Sequence, residues 1–259
     1  MRVSQDSQEN KTERDVIEYI GQDEEPYDRP IQRYDHARRR QLIDGLLDGA
    51  ARERVLDLGC SNGSWFGFFK DQGFKAIHGV ELSEHRAALA TEKGYQVYNG
   101  PGQDTPFDDG YFDVIVNQDV IVHVLQDADR RGMVREAGRI LKPGDTYILS
   151  IVSMKAERRR RRINLITGYS ALSWLKHKLV GHQGRSDRLQ EEGFVRHWDV
   201  DDLKQFLAEI GLEVQETVGH HFYFGDWSSN VVFLQRAIDS LLCRRWPSAA
   251  SVVFVKCTK

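Results

Sequence analysis

Short apolar segments alternate with amphipathic segments along most of the chain after residue 53. The apolar segments end at glycine or polar residues, which is typical of buried strands, whereas the amphipathic segments repeat apolar residues at helical spacing. This alternation predicts a parallel sheet with helices on both faces. We expect an α/β fold with seven mostly parallel strands at 54–58, 75–81, 95–98, 112–116, 146–152, 212–218 and 250–257.

Capping residues mark several helix boundaries. Ser83 and Asp199 are expected N-caps, because their side-chain oxygens can accept hydrogen bonds from the first free N–H groups of a helix. A helix over 35–47 precedes the first strand, and we interpret the run Arg38–Arg40 on it as a solvated face. The remaining predicted helices cover 65–73, 127–141 and 231–242.

The turn after the first strand is the strongest candidate for a ligand site. Gly59 and Gly63 permit positive φ angles and a close approach, and the helix that follows offers unpaired N–H groups and the positive end of its dipole. A dinucleotide fingerprint requires small residues spaced G-x-G-x-x-G, but Ser61 and Ser64 occupy the second and third places. An NAD site is therefore not predicted, and the alternative for the loop alone is an ordinary strand-to-helix turn.

Three segments resemble class I S-adenosylmethionine-dependent methyltransferases. The run Asp57–Gly63 resembles motif I of that family, although family loops more often have glycine where Ser61 stands. The segment 112–124 resembles motif IV, and the segment 139–149 resembles the run between the fourth helix and the fifth strand. The resemblance covers about 55–152 and implies a Rossmann-like sheet with an antiparallel last strand, the cofactor S-adenosyl-L-methionine and methyl transfer.

Glu81 is the second candidate for cofactor binding. It ends the second strand about twenty residues after the glycine turn, where a carboxylate can accept hydrogen bonds from both ribose hydroxyls. The resemblance implies the same role for Glu81, adenine contacts for the loop around Gln103, and a backbone or side-chain contact from Asn117 to the cofactor amino group. The alternative for the 100–107 loop is a Gly/Pro-rich surface loop. The predicted cofactor residues are Asp57, Gly59, Cys60, Ser61, Gly63, Glu81, Leu82, Gln103, Asp104 and Asn117.

Four polar residues are candidates for the acceptor side. The sulfonium already activates its methyl group, so catalysis requires an acceptor lone pair held in line with the S–CH3 bond. An acceptor hydroxyl also has to lose its proton, and histidine is a suitable base because its ordinary pKa lies near neutrality. For His123 the alternative is a role in packing and hydrogen bonding. The predicted catalytic residues are His123, Asp119, His197 and His221.

The histidines do not predict a metal site. His123, His197, His220 and His221 show none of the short helical spacings of zinc motifs, and methyl transfer does not require a metal.

A basic segment separates the fifth strand from the last third of the chain. Residues 155–188 carry ten Lys or Arg against two acids, interleaved with apolar and aromatic residues. In the resembling family, insertions at this place commonly build a lid or acceptor pocket, so 154–196 is the expected lid and acceptor insert. A solvated helical surface is the alternative. The basic face also fits an anionic acceptor, an anionic membrane surface or, through Arg158–Arg162, RNA. Five consecutive arginines cannot share one helical face, and no RNA-binding module accompanies them.

Composition limits the remaining possibilities. The chain has 259 residues, 40% hydrophobic, a net charge of -3 and three widely separated cysteines, which predicts one large domain without a disulfide framework. It lacks an apolar run of membrane-spanning length and an N-terminal signal-peptide core, so we expect a cytoplasmic protein. The acidic residues 1–30 are predicted to be a mobile tail, and 31–259 the methyltransferase domain.

We therefore predict S-adenosylmethionine-dependent methyl transfer to a hydroxyl of a small-molecule, glycan or lipid-linked acceptor, including an anionic one. Peripheral contact with an anionic membrane surface is compatible with this function. We favour these acceptors over RNA. The alternatives are an RNA methyltransferase that uses Arg158–Arg162 and a non-catalytic protein that only binds S-adenosylmethionine.

Overall fold

The computed structural model describes residues 30–167, 195–222 and 236–259. The strands are β1 (Arg54–Leu58), β2 (Ala76–Glu81), β3 (Gln96–Asn99), β4 (Phe112–Asn117), β5 (Leu141–Ser153), β6 (His197–Trp198), β7 (Glu213–His220) and β8 (Val252–Thr258). The α-helices are α1 (Pro30–Leu46), α2 (Phe66–Asp71), α3 (Glu84–Glu92), α4 (Asp127–Ile140), α5 (Met154–Thr167) and α6 (Val200–Glu209). A π-helical turn (Asp239–Cys243) and a 3-10 turn (Pro247–Ala249) precede β8.

The strands form one sheet in the order β3-β2-β1-β4-β5-β8-β7, and the two-residue β6 pairs with the end of β5. β1 to β5 pair in parallel, whereas β8 runs antiparallel to both of its neighbours. The predicted seven-stranded, mostly parallel sheet with an antiparallel last strand is therefore confirmed, with β6 in addition. The strand order reverses between β1 and β4, and in open α/β sheets ligands bind at the carboxyl ends of the strands beside such a point.

The core lies on both faces of this sheet. All six residues of β4 are buried, and successive side chains point to opposite faces. Ile115 packs in the cluster that contains Met133 of α4 and Phe206 of α6. Val114 packs in the other cluster, which contains Ile43 of α1. The layers of helices on each side account for the uninterrupted apolar character of β4.

The predicted N-caps are confirmed. The side chain of Asp199 accepts the N–H of Asp201 at 2.9 Å, and the hydroxyl oxygen of Ser83 accepts the N–H of Arg86 at 3.5 Å. Two element boundaries differ from prediction by five residues. The first helix begins at Pro30, five residues before Asp35. β5 begins at Leu141 and not at residue 146, and a register shift between its pairs with β4 accommodates the Pro-Gly step at 143–144.

The predicted mobile tail at 1–30 and most of the basic insert at 154–196 fall outside the described residues. The described part of the insert comprises helix α5 and residues 195–196, which precede β6. Within the described ranges, none of the helices has the length and apolar character needed to cross a membrane.

Candidate functional site

The turn after β1 requires glycine at Gly59 for two reasons. Its φ is +87°, a left-handed conformation, and a Cβ atom at this position would lie 2.2 Å from the Val120 side chain. The N–H groups of Gly59 and Cys60 both donate to the carbonyl oxygen of Val80, at 2.8 and 3.0 Å. The turn is therefore fixed between the carboxyl end of β2 and the loop after β4.

Ser61 adopts the conformation that glycine more often provides at this place in the resembling family. Its φ is +49°, and its N–H donates to Glu81 Oε2 at 2.9 Å. The other oxygen of Glu81 accepts the N–H of Ser83 at 2.9 Å. One carboxylate thus connects the glycine turn to the start of α3. Each of its oxygens keeps a lone pair for a further hydrogen bond, such as one from a ribose hydroxyl.

Asp57 lies beneath the same turn and has a protein partner. Its side chain is buried, and its Oδ2 accepts the hydroxyl of Tyr95 at 2.8 Å. Burial raises the pKa of Asp57 to about 7 against the hydrogen bond from Tyr95, and the nearby Glu81 raises it further. The neighbouring Cys60 thiol is also buried, against Gly79. Asp57 and Cys60 therefore stabilise the turn through buried contacts with Tyr95 and Gly79.

Leu82 and the residues predicted to contact adenine are at least partly accessible to solvent. Leu82 is 40% exposed and offers an apolar surface to a base, Gln103 is half-buried, and Asp104 is exposed. Their loop is fixed by Thr105, whose N–H and hydroxyl both donate to Glu136 Oε1, at 2.9 and 2.5 Å. Adenine binding by this loop stays a prediction.

The side chain of Asn117 points into the core. It is fully buried, and its amide donates to the Met133 sulfur at 3.3 Å. It thus contacts helix α4. The contact predicted through the backbone carbonyl is compatible with this orientation, and both contacts predicted for Asn117 stay predictions.

Asp119 follows β4 in a left-handed conformation, with φ of +58°. Its Oδ2 lies 2.5 Å from Arg39 Nη1, and its Oδ1 accepts the Ser150 hydroxyl at 3.2 Å. The backbone N–H of Asp119 donates to the same hydroxyl oxygen at 2.8 Å. Because Arg39 balances its charge, Asp119 is better suited to orienting an acceptor than to removing a proton from it.

The prediction that the arginine run on α1 is a solvated face is wrong. The Arg39 side chain is 13% exposed and pairs with Asp35 at 2.8 Å as well as with Asp119. Arg38 donates to the carbonyl oxygen of Asp239 at 3.5 Å, and the guanidinium of Arg40 lies 5.7 Å from the centre of the Trp65 ring. The prediction failed because the other partners of this run, which are Asp119, Asp239 and Trp65, are distant in sequence.

His221 lies in a buried cluster at the end of β7. Its Nδ1 is 2.8 Å from Asp239 Oδ2, and its Nε2 is 2.6 Å from Asp35 Oδ1. His220 Nε2 is 2.8 Å from the same Asp35 oxygen, and the Tyr34 hydroxyl donates to Asp239 at 3.0 Å. We call these five residues the histidine cluster.

The two histidines of this cluster have opposite pKa shifts. Burial lowers the pKa of His220 to about 3. Burial also acts to lower the pKa of His221, but hydrogen bonds to Asp239 and Asp35 outweigh it, and the net shift is upward. Since both nitrogens of His221 face carboxylates, it is not placed to act as a free base in this arrangement.

The other two predicted catalytic histidines occupy different surroundings. His123 is half-buried in the turn after β4, where its N–H donates to the Val120 carbonyl at 2.8 Å. His197 begins β6, and its Nε2 lies 4.0 Å from Glu157 Oε2. Burial lowers the pKa of His197, which favours the neutral imidazole. The four predicted catalytic residues therefore do not form one cluster: Asp119 and His221 are connected through Arg39 and Asp35, whereas His197 lies beside α5.

Comparison with known proteins identifies the domain. Residues 56–149 match a family described as "Methyltransferase domain". Residues 56–149 are therefore those of a methyltransferase domain. The match includes the glycine turn, Glu81 and the loop with Asp119, and S-adenosylmethionine is the cofactor of this family.

Two curated proteins and one solved structure illustrate the similarity of this methyltransferase domain. The 27-O-demethylrifamycin SV methyltransferase of Amycolatopsis mediterranei is 28% identical over 66% of this chain and 58% of its own length. The tRNA (carboxymethyluridine(34)-5-O)-methyltransferase of Arabidopsis thaliana is 24% identical over 51% of this chain and 30% of its own length. A Thermotoga maritima structure, described as a possible histamine N-methyltransferase, has a TM-score of 0.56 and 20% identity over 95% of this chain and 97% of that chain. The chain thus spans little more than half the length of the rifamycin enzyme. The similarity to the Thermotoga maritima structure shows a common fold.

The basic run that follows the methyltransferase domain is partly engaged by the protein itself. Arg159 donates to the carbonyl oxygen of Ala249 at 2.6 Å and lies 3.9 Å from the centre of the Phe222 ring. Arg160 and Arg161 pair with Glu157 at 2.8 and 2.6 Å. Arg158 and Arg162 are exposed. Arg158 also donates to the Met154 sulfur at 3.5 Å, so four of the five arginines have partners within the protein, although Arg161 is exposed as well.

Several residues at this edge of the methyltransferase domain were not predicted as site residues. Asp35 and Arg39 are four residues apart on α1, a spacing that indicates a helical ion pair but not its distant partners. Asp239 is the one charged residue in the largely apolar segment 238–243, a signal for a buried acid. The remaining unpredicted residues have partners that are far away in sequence. The full set of residues not predicted as site residues is Tyr34, Asp35, Arg39, Ser150, His220 and Asp239.

Proposed function

We propose that this protein transfers the methyl group of S-adenosylmethionine to a hydroxyl of a small-molecule, glycan or lipid-linked acceptor. The observation that carries the proposal is the carboxylate of Glu81, which accepts the N–H of Ser61 from the glycine turn and the N–H of Ser83 from α3. This arrangement lies at the carboxyl ends of β1 and β2, inside the segment that matches the methyltransferase family. A ribose bound to Glu81 would direct the methionine part of the cofactor over the turn.

The acceptor is expected at the carboxyl ends of β4 and β5. Asp119 and Ser150 meet there, and Arg39 reaches them from α1. Methyl transfer depends on holding the acceptor oxygen in line with the S–CH3 bond at about 3 Å. The fixed carboxylate of Asp119 is suited to accept a hydrogen bond from a polar group of the acceptor and so to orient it.

One observation favours transfer to oxygen, and a second favours an acceptor other than RNA. The names of the rifamycin and tRNA enzymes both specify transfer to oxygen. Arg159, Arg160 and Arg161 interact with this protein's own groups, which leaves less of the run available for a phosphate backbone. His123 and His197, both half-buried, are the candidates for accepting the hydroxyl proton.

Cofactor binding is tested by isothermal titration with S-adenosylmethionine. We expect one site in the wild type and an affinity reduced at least about 10-fold in Glu81→Gln, because the amide cannot accept hydrogen bonds at both of its terminal atoms. Glu84→Gln is the matched control, since Glu84 is an exposed acid in the first turn of α3. Absence of binding in the wild type, or equal affinity in the wild type and Glu81→Gln, refutes the proposal.

The acceptor class is tested with labelled cofactor and a fractionated cell extract. Label in the lipid, polysaccharide or small-molecule fraction supports the proposal. Treatment of the labelled product with mild base or acid then distinguishes methyl esters, which release the label, from methyl ethers, which keep it. Label that enters RNA, with transfer that weakens steeply as salt rises, supports the RNA alternative instead. Cofactor binding without transfer to any fraction supports the non-catalytic alternative.

A further inference from the structure

We propose that Asp35, His220 and His221 bind one divalent transition-metal ion. Asp35 Oδ1, His220 Nε2 and His221 Nε2 all lie within 4.8 Å of one another. The carboxylate oxygen is 2.8 Å from the first nitrogen and 2.6 Å from the second. Three potential ligand atoms from two distant parts of the chain therefore point towards one place.

The backbone at the end of β7 produces this convergence. Successive side chains on a strand point to opposite faces, so His220 and His221 would normally diverge. His221 instead has a φ of +56°, in the left-handed region, and the centres of the two rings are 4.0 Å apart. An unfavourable backbone conformation at a non-glycine residue is typical of functional positions, and here it directs both imidazoles to the same oxygen.

The surroundings hold these three side chains in fixed orientations. Asp239 Oδ2 lies 2.8 Å from His221 Nδ1, the nitrogen that does not face Asp35. Asp239 in turn accepts the Tyr34 hydroxyl at 3.0 Å and the Phe222 N–H at 2.7 Å. A carboxylate behind a ligand histidine is the usual support in metal sites, because it fixes the ring and its tautomer.

The second oxygen of Asp35 has a separate partner. Arg39 Nε lies 2.8 Å from Oδ2, which leaves Oδ1 directed at the two imidazoles. The Asp35 side chain is 27% exposed, whereas those of His220 and His221 are 0% and 2% exposed. Of the three ligand side chains, only that of Asp35 is therefore appreciably exposed, and an ion would enter from its side.

The donor set indicates the class of metal. Two imidazoles and one carboxylate are suited to zinc, cobalt, nickel or ferrous iron, whereas magnesium and calcium prefer oxygen ligands alone. Three protein ligands leave at least one coordination position for water or another oxygen ligand. The site lies at the same sheet edge as Asp119, but metal binding does not depend on the proposed methyl transfer.

The test is titration of the full chain, stripped of metal with a chelator and free of S-adenosylmethionine, with Zn²⁺ and with Co²⁺. We expect one equivalent of either ion to bind and the visible spectrum of Co²⁺ to show nitrogen ligands. His220→Gln and Asp35→Asn should each weaken the affinity about 100-fold or more, and Asp239→Asn about 10- to 100-fold. His85→Gln, an exposed histidine on α3, is the control and should bind as the wild type does.

Circular dichroism and thermal melting in chelator show which variants are folded. If the His220 variant unfolds, X-ray absorption of the wild type loaded with Zn²⁺ decides the question, and the expected spectrum contains two imidazoles. Binding without imidazole ligands, no stoichiometric binding by the wild type, or unchanged affinity in folded His220→Gln and Asp35→Asn would each overturn the proposal. The cluster would then be a hydrogen-bonded network only. Because these experiments contain no cofactor, their failure leaves the methyl-transfer proposal intact.

Discussion

Arg39 Nη1 lies 2.5 Å from Asp119 Oδ2, which joins helix α1 to the loop after β4. The two residues are 80 positions apart in sequence, and the Arg39 side chain is 13% exposed. Asp35 binds the Nε side of the same guanidinium. The guanidinium of Arg39 thus connects Asp119, which is predicted to face the acceptor, with Asp35 of the histidine cluster.

Replacement of this cation should destabilise the fold. Arg39→Met leaves the carboxylates of Asp35 and Asp119 without their countercharge, and we expect the free energy of unfolding to fall by about 1–3 kcal/mol. Urea denaturation at neutral pH measures the change. Lys75→Met is the control, because the pair of Lys75 with Glu53 is also 2.5 Å long but exposed, and its loss should cost less than about 1 kcal/mol. Equal effects of the two substitutions would show that burial of the Arg39 pairs is unimportant.

Replacement by glycine should be tolerated better at Ser61 than at Ser64. A serine in the left-handed region costs about 1–2 kcal/mol, which Ser61→Gly relieves, while the flexibility of glycine in the unfolded chain costs about 0.5–1 kcal/mol. We expect the free energy of unfolding to be unchanged or to rise by up to about 1 kcal/mol. Ser64→Gly, at an exposed position without positive φ, should lower it by about 0.5–1 kcal/mol. Thermal melting of both variants checks the difference in sign, and a loss of stability in Ser61→Gly contradicts it.

Gly59 is predicted to be irreplaceable because of Val120. Gly59→Ala places a methyl group 2.2 Å from the valine side chain and requires a positive φ, so stability should fall by about 2–4 kcal/mol. Val120→Ala in the same chain should recover part of this loss, because it removes the contacts at 2.2 and 2.8 Å but leaves the Val120 Cβ at 3.0 Å and the backbone cost. Gly67→Ala is the control, since Gly67 lies in α2 with open space at its Cβ position, and it should be neutral or stabilising by up to about 1 kcal/mol. Urea denaturation of the set separates the two costs, and no recovery in the double variant would exclude the clash.

The sheet, and the proximity of the glycine turn to Glu81, were predictable because their signals are local. The turn at Gly59 and the acid at Glu81 each follow a short apolar strand, and parallel pairing places the ends of those strands side by side. The acceptor half was predicted poorly. Arg39 meets Asp119 across 80 residues, and Asp35 meets His220 across 185, and no periodicity in the sequence indicates such contacts. The direction of the Asn117 side chain could not be predicted from the sequence either, because a polar residue at the end of a strand is compatible with either face of the sheet.

The buried carboxyl of Asp57 predicts a pH dependence of stability. Its pKa is about 7 in the folded chain and 3.8 ordinarily, so the folded state holds the proton more tightly than the unfolded state does. The resulting stabilisation is fully present below about pH 4 and is lost as the pH rises through 7. In Asp57→Asn this titration is absent. The free energy of unfolding of the wild type minus that of Asp57→Asn should therefore decrease between pH 5 and 7, by up to about 1.4 kcal/mol per pH unit, and level off above pH 8.

Tyr95→Phe is the companion variant for this prediction. The Tyr95 hydroxyl donates to Asp57 and acts to lower its pKa, so without it the pKa of Asp57 should rise and the loss of stability should extend to higher pH. Urea denaturation from pH 5 to 9, without cofactor, measures all three chains. A difference between wild type and Asp57→Asn that stays constant over this range would mean that Asp57 is ionised throughout, and the hydrogen bond from Tyr95 would then outweigh burial.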